Sequence, residues 1–491
     1  MKNIALLAFL LFALSFTCEA QNNGHHSRMR ALTTIVEAYN NQDYAKMQQP
    51  VILLGKLLIT GKALKKEFGP YYKKYGNASI DTVTYTNQYS YTAQLSFEKD
   101  RGKRGFLNFL FTEKGKVAGF GFAQPTLIYP KAQARNKSNF TAEEMAARID
   151  SIIRKNHLNR KQNSFNGCVL ALDKGAEIYK NCFGYADFAT KTPLNDSTLF
   201  DLASCSKQFT AMAIMVLAEQ GKLQFTDTLQ KYIPGLPYPN ITIENLLTHT
   251  SGLPDYERLM KKHWDKSKFA TNYDIVPLFI KHKTKTSFSP NQQFKYSNTG
   301  YALLSIVIEK ASGMSYAEFL EKHIFAPLAM NHTRVYNTRR SQKEIVKNCA
   351  TGYVTTAKST KYVVPDSTSE YNYVIFMDAI TGDGTVNSSL SDLIIWDKAL
   401  RENTLVSEAT LQNARTKHKL ASGKEGGYGY GVLLKTGKGI EPVVYHTGGW
   451  PGYFSVILKF TEQEKTVVVL SNNSYDDFLI LADEIAAVLM E

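Results

Sequence analysis

Ser204 and Lys207 stand three residues apart at the opening of a long apolar run, Phe200 to Leu223. A serine with a lysine at that interval can be a nucleophile with its own base. On a helix, residues i and i+3 share a face, so the Lys207 amine reaches the Ser204 hydroxyl. Lysine serves as a base only when neutral, and burial together with the positive end of a helix promotes that state. Gln208 to Gln220 is rich in Ala, Met, Leu and Ile nearly all round, which predicts a helix buried in a large core, with Gly221 as its stop. Ser204 then lies at the helix N-terminus, where free N–H groups favour the anion that develops in acyl transfer. Ser96 and Lys99 repeat the spacing, but in an alternating, strand-like stretch where i and i+3 face opposite ways.

Two later stretches complete a set. Phe294-Lys295-Tyr296-Ser297-Asn298 ends a polar, Pro-containing loop and precedes an apolar helix, Tyr301 to Ala311. His446-Thr447-Gly448-Gly449 is expected between a strand, Val443 to Tyr445, and another, Phe454 to Phe460. Taken in order, Ser204-Cys205-Ser206-Lys207, Tyr296-Ser297-Asn298 and His446-Thr447-Gly448 resemble the three motifs of class C β-lactamases and low-molecular-weight penicillin-binding proteins, the DD-peptidases. The resemblance runs from about Asn163 to the C-terminus. It takes in Leu246 to Pro254, Gly382 to Val386 and Tyr428 to Gly431. Tyr85-Thr86-Asn87 and Tyr179-Lys180-Asn181 match the second motif as text, so order and context select Tyr296. Lys435-Thr436-Gly437 is set aside because Gly437 to Gly439 marks a hairpin tip, and in the family that hairpin precedes the motif strand.

The resemblance implies roles. Ser204 attacks a carbonyl, and Lys207 and Tyr296 move its proton. The N–H groups of Ser204 and Gly449 form an oxyanion hole. Asn298 holds the substrate amide, and Thr447 and Gly448 adjoin it. His446 sits near a substrate carboxylate or in a proton network, while His249 belongs to a structural loop and packs there. The implied activity is a serine hydrolase acting through an acyl-enzyme on a D-amino-acid peptide, a β-lactam-like compound or a small ester, with no metal or organic cofactor. An esterase or D-aminopeptidase fits the same motifs. A catalytically silent binder of cell-wall peptide is the rival from another class, and intact Ser204, Lys207 and Tyr296 argue against it.

The elements that must position these residues follow from periodicity. Met29 to Tyr44 reads as an amphipathic helix after a polar tail that holds His25-His26, and Leu64 to Tyr72 as another. Thr82 to Tyr85, Tyr89 to Phe97, Gly105 to Thr112 and Val117 to Phe122 read as strands, with turns at Asp100 to Lys103 and Glu113 to Gly115. Helices followed by an antiparallel meander resemble the cone-shaped domains of the nuclear-transport-factor and SnoaL-like type. Beyond a Pro- and Lys-containing linker, Thr141 and Glu144 form a capping box ahead of a helix. Phe165 to Leu172 and Ala176 to Gly184 then alternate around a turn at Lys174-Gly175. Thr226 to Ile233 and Ile241 to Leu247 follow the serine helix, and the chain ends with a strand, Thr466 to Leu470, and a helix, Phe478 to Met490.

The expected organisation is α+β and multidomain. It has a signal peptide over residues 1–20, a small α+β cone-like domain over 21–124 and a linker over 125–138. Residues 139–491 form a β-lactamase/DD-peptidase-like domain with a central antiparallel sheet flanked by helices and an all-helical region. The signal reading rests on one lysine, an apolar run from Ile4 to Phe16, and Cys18-Glu19-Ala20; it points to a periplasmic or secreted protein. Nothing else in the sequence is long and apolar enough to span a bilayer. The net charge of +14 comes from scattered Lys and Arg, without the basic-aromatic interleaving that nucleic acid requires. Expected partners are therefore a small-molecule or peptide substrate and cell-wall material, with oligomeric state open. Cys168, Cys182, Cys205 and Cys349 remain after cleavage, in no zinc-binding spacing. Cys168 and Cys182 can face each other across the Lys174-Gly175 turn, either as a disulfide or as buried small hydrophobes.

Overall fold

Among the described residues the two largest sheets have four and six strands, and helices pack on both. The computed structural model describes residues 23–51, 61–87, 90–97, 104–111, 117–123, 140–158, 164–336, 346–356, 359–437, 440–475 and 477–491. The expected signal peptide and linker, the turns at Asp100 to Lys103 and Glu113 to Gly115, and the tip Lys438-Gly439 lie outside these residues. Backbone contacts divide the chain into two units, the first reaching residue 128 and including 155–157, the second holding the rest.

The first unit joins helices α1 (Asn23–Asn40) and α2 (Gly61–Tyr75) to four antiparallel strands in sequential order: β1 (Ala78–Asn87), β2 (Ser90–Phe97), β3 (Arg104–Phe111) and β4 (Val117–Ala123). Leu32, Ile35 and Val36 from α1 and Phe68 from α2 share a core with Leu107, Phe109 and Phe120 of the sheet. Helix α1 begins at Asn23, so His25 and His26 lie on its first turns rather than in a tail. It also stops short of the expected end, because Asp43 opens a separate short helix by accepting from the Lys46 N–H.

In the second unit, Thr141 and Glu144 form the expected capping box of α3 (Ala142–Ile152). The central sheet has six antiparallel strands. In spatial order they are β7 (Leu433–Gly437), β8 (Ile440–Trp450), β9 (Tyr453–Phe460), β10 (Lys465–Ser471), β5 (Gly167–Asp173) and β6 (Ala176–Phe183). The first hairpin of the unit thus completes a sheet made of the last strands of the chain, with Val468 opposite Leu170 and Leu470 opposite Cys168. Strands β5 and β10 are buried along almost their whole length, as strands covered on both faces must be. Helices α3 and the C-terminal Phe478–Met490 pack on this sheet. Cys168 and Cys182 are directly opposed across the hairpin and joined as a disulfide.

Helix α4 (Lys207–Glu219) is buried on every side from Lys207 to Leu217. It ends where the Gly221 and Lys222 N–H groups turn back to the Ala218 and Leu217 carbonyls, with Gly221 in the left-handed region. The stretches Thr226 to Ile233 and Ile241 to Leu247 hold only the short helices Leu229–Tyr232 and Ile243–Leu247. Helix α5 (Asn298–Ser312) supplies much of the remaining helical core and packs on α4. Strand β8 runs through His446, Thr447, Gly448 and Gly449 instead of stopping at Tyr445. The reason is register: each of these residues pairs across to β9, His446 with Ile457 and Gly449 with Phe454. Among the described residues, no helix is long and apolar enough to cross a membrane.

Candidate active site

Ser204 lies in a single turn of 3-10 helix, Ala203–Ser206, that runs directly into α4. The residue before it, Ala203, has φ +46°, a left-handed conformation that costs a non-glycine residue energy and is held only by its surroundings. Those surroundings are explicit. The Ala203 N–H donates to Asp201 Oδ1 at 2.7 Å, and the Leu202 N–H donates to the Val386 carbonyl at 2.9 Å. Ser455 Oγ donates to the Leu202 carbonyl at 2.7 Å.

Lys207 Nζ donates to Ser204 Oγ at 3.1 Å and to the Asp383 backbone carbonyl at 2.6 Å, and the lysine is fully buried. A buried ammonium without partners would be very costly, so these contacts matter for the fold as well as for chemistry. Segment Gly382 to Val386 is stitched along α4. Thr210 Oγ1 donates to the Gly382 carbonyl at 2.6 Å, and the Val386 N–H donates to Ser206 Oγ at 3.0 Å. Burial pushes the Asp383 carboxyl up to about 7 against the pull of the Lys207 ammonium and of the Tyr256 hydroxyl, which donates to it at 2.9 Å.

Tyr296 stands at the mouth of this arrangement, 39% exposed, with its ring 5.1 Å from Lys207 Nζ. No hydrogen bond joins its hydroxyl to Ser204 or Lys207 among the described residues. Its ring lies 4.3 Å from that of His249, whose Nδ1 accepts from the Ser297 N–H at 3.1 Å. His249 therefore pins the Tyr296 loop rather than reaching Ser204. Burial and the nearby Lys207 and His446 hold it well below the usual histidine range.

Asn298 is half-buried at the start of α5. Its amide donates to Glu257 Oε1 at 3.0 Å, while its own Oδ1 is buried without a protein partner. His446 is buried on β8. Its Nδ1 contacts the Thr447 carbonyl at 2.7 Å, and its Nε2 lies 2.8 Å from the Tyr428 hydroxyl. A carbonyl only accepts, so Nδ1 carries the proton and neutral Nε2 accepts from Tyr428. Burial, reinforced by the Lys207 charge, lowers the His446 imidazole to about 3. Gly448 lies against the Ser204 turn so closely that a Cβ would sit 2.2 Å from the Leu202 carbonyl oxygen. Gly449 occupies the outer end of the strand and is exposed. Cys205, beside Ser204, is buried against β8, and burial pushes its thiol up to about 12, which makes it inert as a nucleophile at neutral pH.

Ser204, Lys207, Tyr296, Asn298 and the His446 strand therefore converge on one region, joined by contacts from Tyr256, Glu257, Asp383 and Tyr428. The sequence motifs by themselves assign no role to these four. Asp383 and Tyr428 sit inside stretches that carried the family resemblance, which was the available signal; Tyr256 and Glu257 follow Pro254 and had none. Among the described residues, no group of His, Cys, Asp and Glu is placed to hold a metal ion.

Three comparisons bear on this geometry. A family described as Beta-lactamase matches residues 151–490. The curated Penicillin-binding protein 4* of Bacillus subtilis (strain 168) is 45% identical over 316 residues, covering 64% of this chain and 70% of that protein. Among solved structures, a penicillin binding protein from Bacillus halodurans aligns with a TM-score of 0.56 at 28% identity, covering 66% of this chain and 95% of that one. A D-amino acid amidase from Ochrobactrum anthropi SV3 shares the fold at 21% identity, with a TM-score of 0.54 over 70% of this chain and 97% of its own.

Proposed function

The chain belongs to the β-lactamase family and is a serine hydrolase of that type, and from that premise we propose that it forms a covalent acyl-enzyme on Ser204 with a small amide or ester substrate. The observation that carries this reading is the 3.1 Å approach of Lys207 Nζ to Ser204 Oγ within a fully buried lysine site. In the reaction, which requires Lys207 as the neutral amine, Ser204 Oγ bonds to the substrate carbonyl carbon while its proton passes to the Lys207 and Tyr296 pair. The pair returns that proton to the departing amine or alcohol, which leaves an ester on Ser204 for water to cleave. The N–H groups of Ser204 and Gly449 face the developing oxyanion. Asn298 Oδ1, buried and without a protein partner, is the acceptor offered to a substrate amide N–H.

The neutral state of His446 supports one reading of the substrate class. Where the third motif begins with lysine, as in K-T-G, a substrate carboxylate meets a cation; here it would meet an uncharged imidazole tied to Tyr428. Neutral esters and amides are therefore the preferred substrates, with β-lactams and carboxylate-terminated D-peptides turned over slowly. Residues 1–20 are proposed as a cleaved signal, which makes the protein periplasmic or secreted. The Cys168–Cys182 bridge suits that oxidising setting. The first unit is proposed as a spacer or docking domain without a catalytic role.

Intact-mass spectrometry with a fluorophosphonate, a penicillin and a short acyl ester tests the assignment. One adduct is expected, absent in Ser204→Ala. An adduct that survives in that variant would sink the proposal.

A further inference from the structure

One cavity of the second unit is lined without Ser204. It lies behind α4, between that helix, the Leu390–Arg401 helix, the segment Leu411 to Arg415 and strands β8, β9 and β10, and it has a volume of about 50 Å³. Its inner walls are apolar, with Met212, Met215, Trp396 and Leu411 all buried. Half-buried Leu400, Arg415 and Tyr445 form the rim.

The charges around this space do not balance. Asp397 is the carboxylate in the lining, and it is already satisfied. Its Oδ1 meets Lys459 Nζ at 2.9 Å and accepts from Thr466 Oγ1 at 2.6 Å, and its Oδ2 meets Arg401 Nε at 3.0 Å. Arg415 remains, donating from Nη2 to the Leu400 carbonyl at 3.2 Å and forming no ion pair among the described residues. Burial lowers the guanidinium of Arg415 against the opposing pull of the Asp397 carboxylate.

A second, independent observation concerns another residue of the same lining. Gln208 is 8% exposed, and its Nε2 is buried without a protein partner. The orientation of this amide is set by its neighbour: the Trp396 indole Nε1 approaches Oε1 at 3.5 Å, and an indole N–H only donates, so the oxygen must face it. The amide donor is thereby turned away from Trp396 and left needing an acceptor, an expensive state for a buried group.

We propose that this cavity is a binding site for a small amphipathic anion, a short-chain aliphatic monocarboxylate, whose carboxylate meets Arg415 and Gln208 and whose chain lies along Met212, Met215 and Trp396. Gln208 directly follows Lys207 on α4. The inference does not depend on which substrate Ser204 acylates.

The test uses the full chain with sodium hexanoate as probe, and with 1-hexanol and hexylamine as the uncharged and oppositely charged controls. Binding is followed by calorimetry and by tryptophan fluorescence, since Trp396 lines the site. Hexanoate is expected to bind and hexanol and hexylamine to bind at least tenfold more weakly. Arg415→Gln should weaken hexanoate roughly ten- to a hundredfold, the range of a charge-assisted hydrogen bond. Gln208→Met, which keeps the shape and removes the donor, provides an independent arm should the arginine variant fail to fold, and should weaken hexanoate several-fold. Protein blocked at Ser204 by a fluorophosphonate should bind hexanoate unchanged. Absence of hexanoate binding, equal binding of hexanol, indifference to both substitutions, or loss of binding on blocking Ser204 would each overturn the proposal. The last of these would assign the binding to the Ser204 region instead.

Discussion

Acidification should unfold this protein in part through one residue, His446. Its imidazole is buried and held at about 3 in the folded chain, against about 6.5 for an unperturbed histidine. A group whose folded value is depressed contributes stability that is fully present above the unfolded value and is lost as pH falls through the interval between the two. From pH 6.5 to pH 4 that loss amounts to about 3 kcal/mol, at roughly 1.4 kcal/mol per pH unit. Asp383 works in the opposite sense. Its carboxyl is raised to about 7, so its contribution is present at low pH and is lost as pH rises from its unfolded value through about 7. The two effects overlap in wild type, and a variant is needed to separate them. His446→Gln supplies an acceptor for the Tyr428 hydroxyl and a donor for the Thr447 carbonyl, the two contacts of the native ring. Urea unfolding of both proteins between pH 7.5 and pH 4 is the assay. Wild type should lose about 3 kcal/mol more than the variant across this range, with the gap opening below pH 6.5. Parallel curves would refute a buried neutral His446 and, with it, the argument about substrate charge.

Gly448→Ala would push a methyl group to 2.2 Å from both the Leu202 carbonyl oxygen and Ser455 Oγ, atoms already bonded to each other. An overpacking loss of about 1–3 kcal/mol in urea is expected, with slower fluorophosphonate labelling as β8 is forced off the Ser204 turn. Breaking the Cys168–Cys182 bridge by Cys168→Ser with Cys182→Ser should lower stability by about 3 kcal/mol, the value for a loop of this length. Non-reducing peptide mapping should recover the two cysteines as one linked species. In matched substrate pairs with and without a carboxylate, kcat/KM should favour the uncharged member at pH 8.5. A strong preference for the carboxylate form there would require a cation other than His446. A chain beginning at Phe140 should retain ester turnover if it folds, and a folded but inactive product would show that the first unit shapes the site.

Local order was legible wherever one periodicity dominates. The run after Lys207 is apolar all round, and it forms a helix buried all round; Gly221 stops it because a left-handed residue is needed there. The Thr141 capping box and the Cys168 to Cys182 hairpin likewise follow from nearest neighbours. Ser204 and Lys207 could be paired from spacing alone, since a helical turn brings i and i+3 together whatever surrounds it. Helix α1 begins earlier and β8 runs further than periodicity alone predicts, for a common reason. Polar His25 and His26 and the glycines at 448 and 449 break the local pattern, while helix hydrogen bonding and pairing with β9 continue through them.

What surrounds Lys207 was decided by tertiary structure. Cys205 Sγ lies 3.3 Å from the His446 carbonyl across 241 residues of sequence, and no periodicity encodes an encounter that distant. The C-terminal strands receive β5 and β6 beside them, and this closes the sheet on which β8 meets the Ser204 turn. Glu257, Asp383 and Tyr428 enter the same region from three separate segments, through hydrogen bonds that depend on the final packing. The ionisation of His446 belongs to this level too. Its residue type permits either charge near neutrality, and only the burial of its ring between Tyr428 and Thr447, close to the Lys207 ammonium, selects the neutral form.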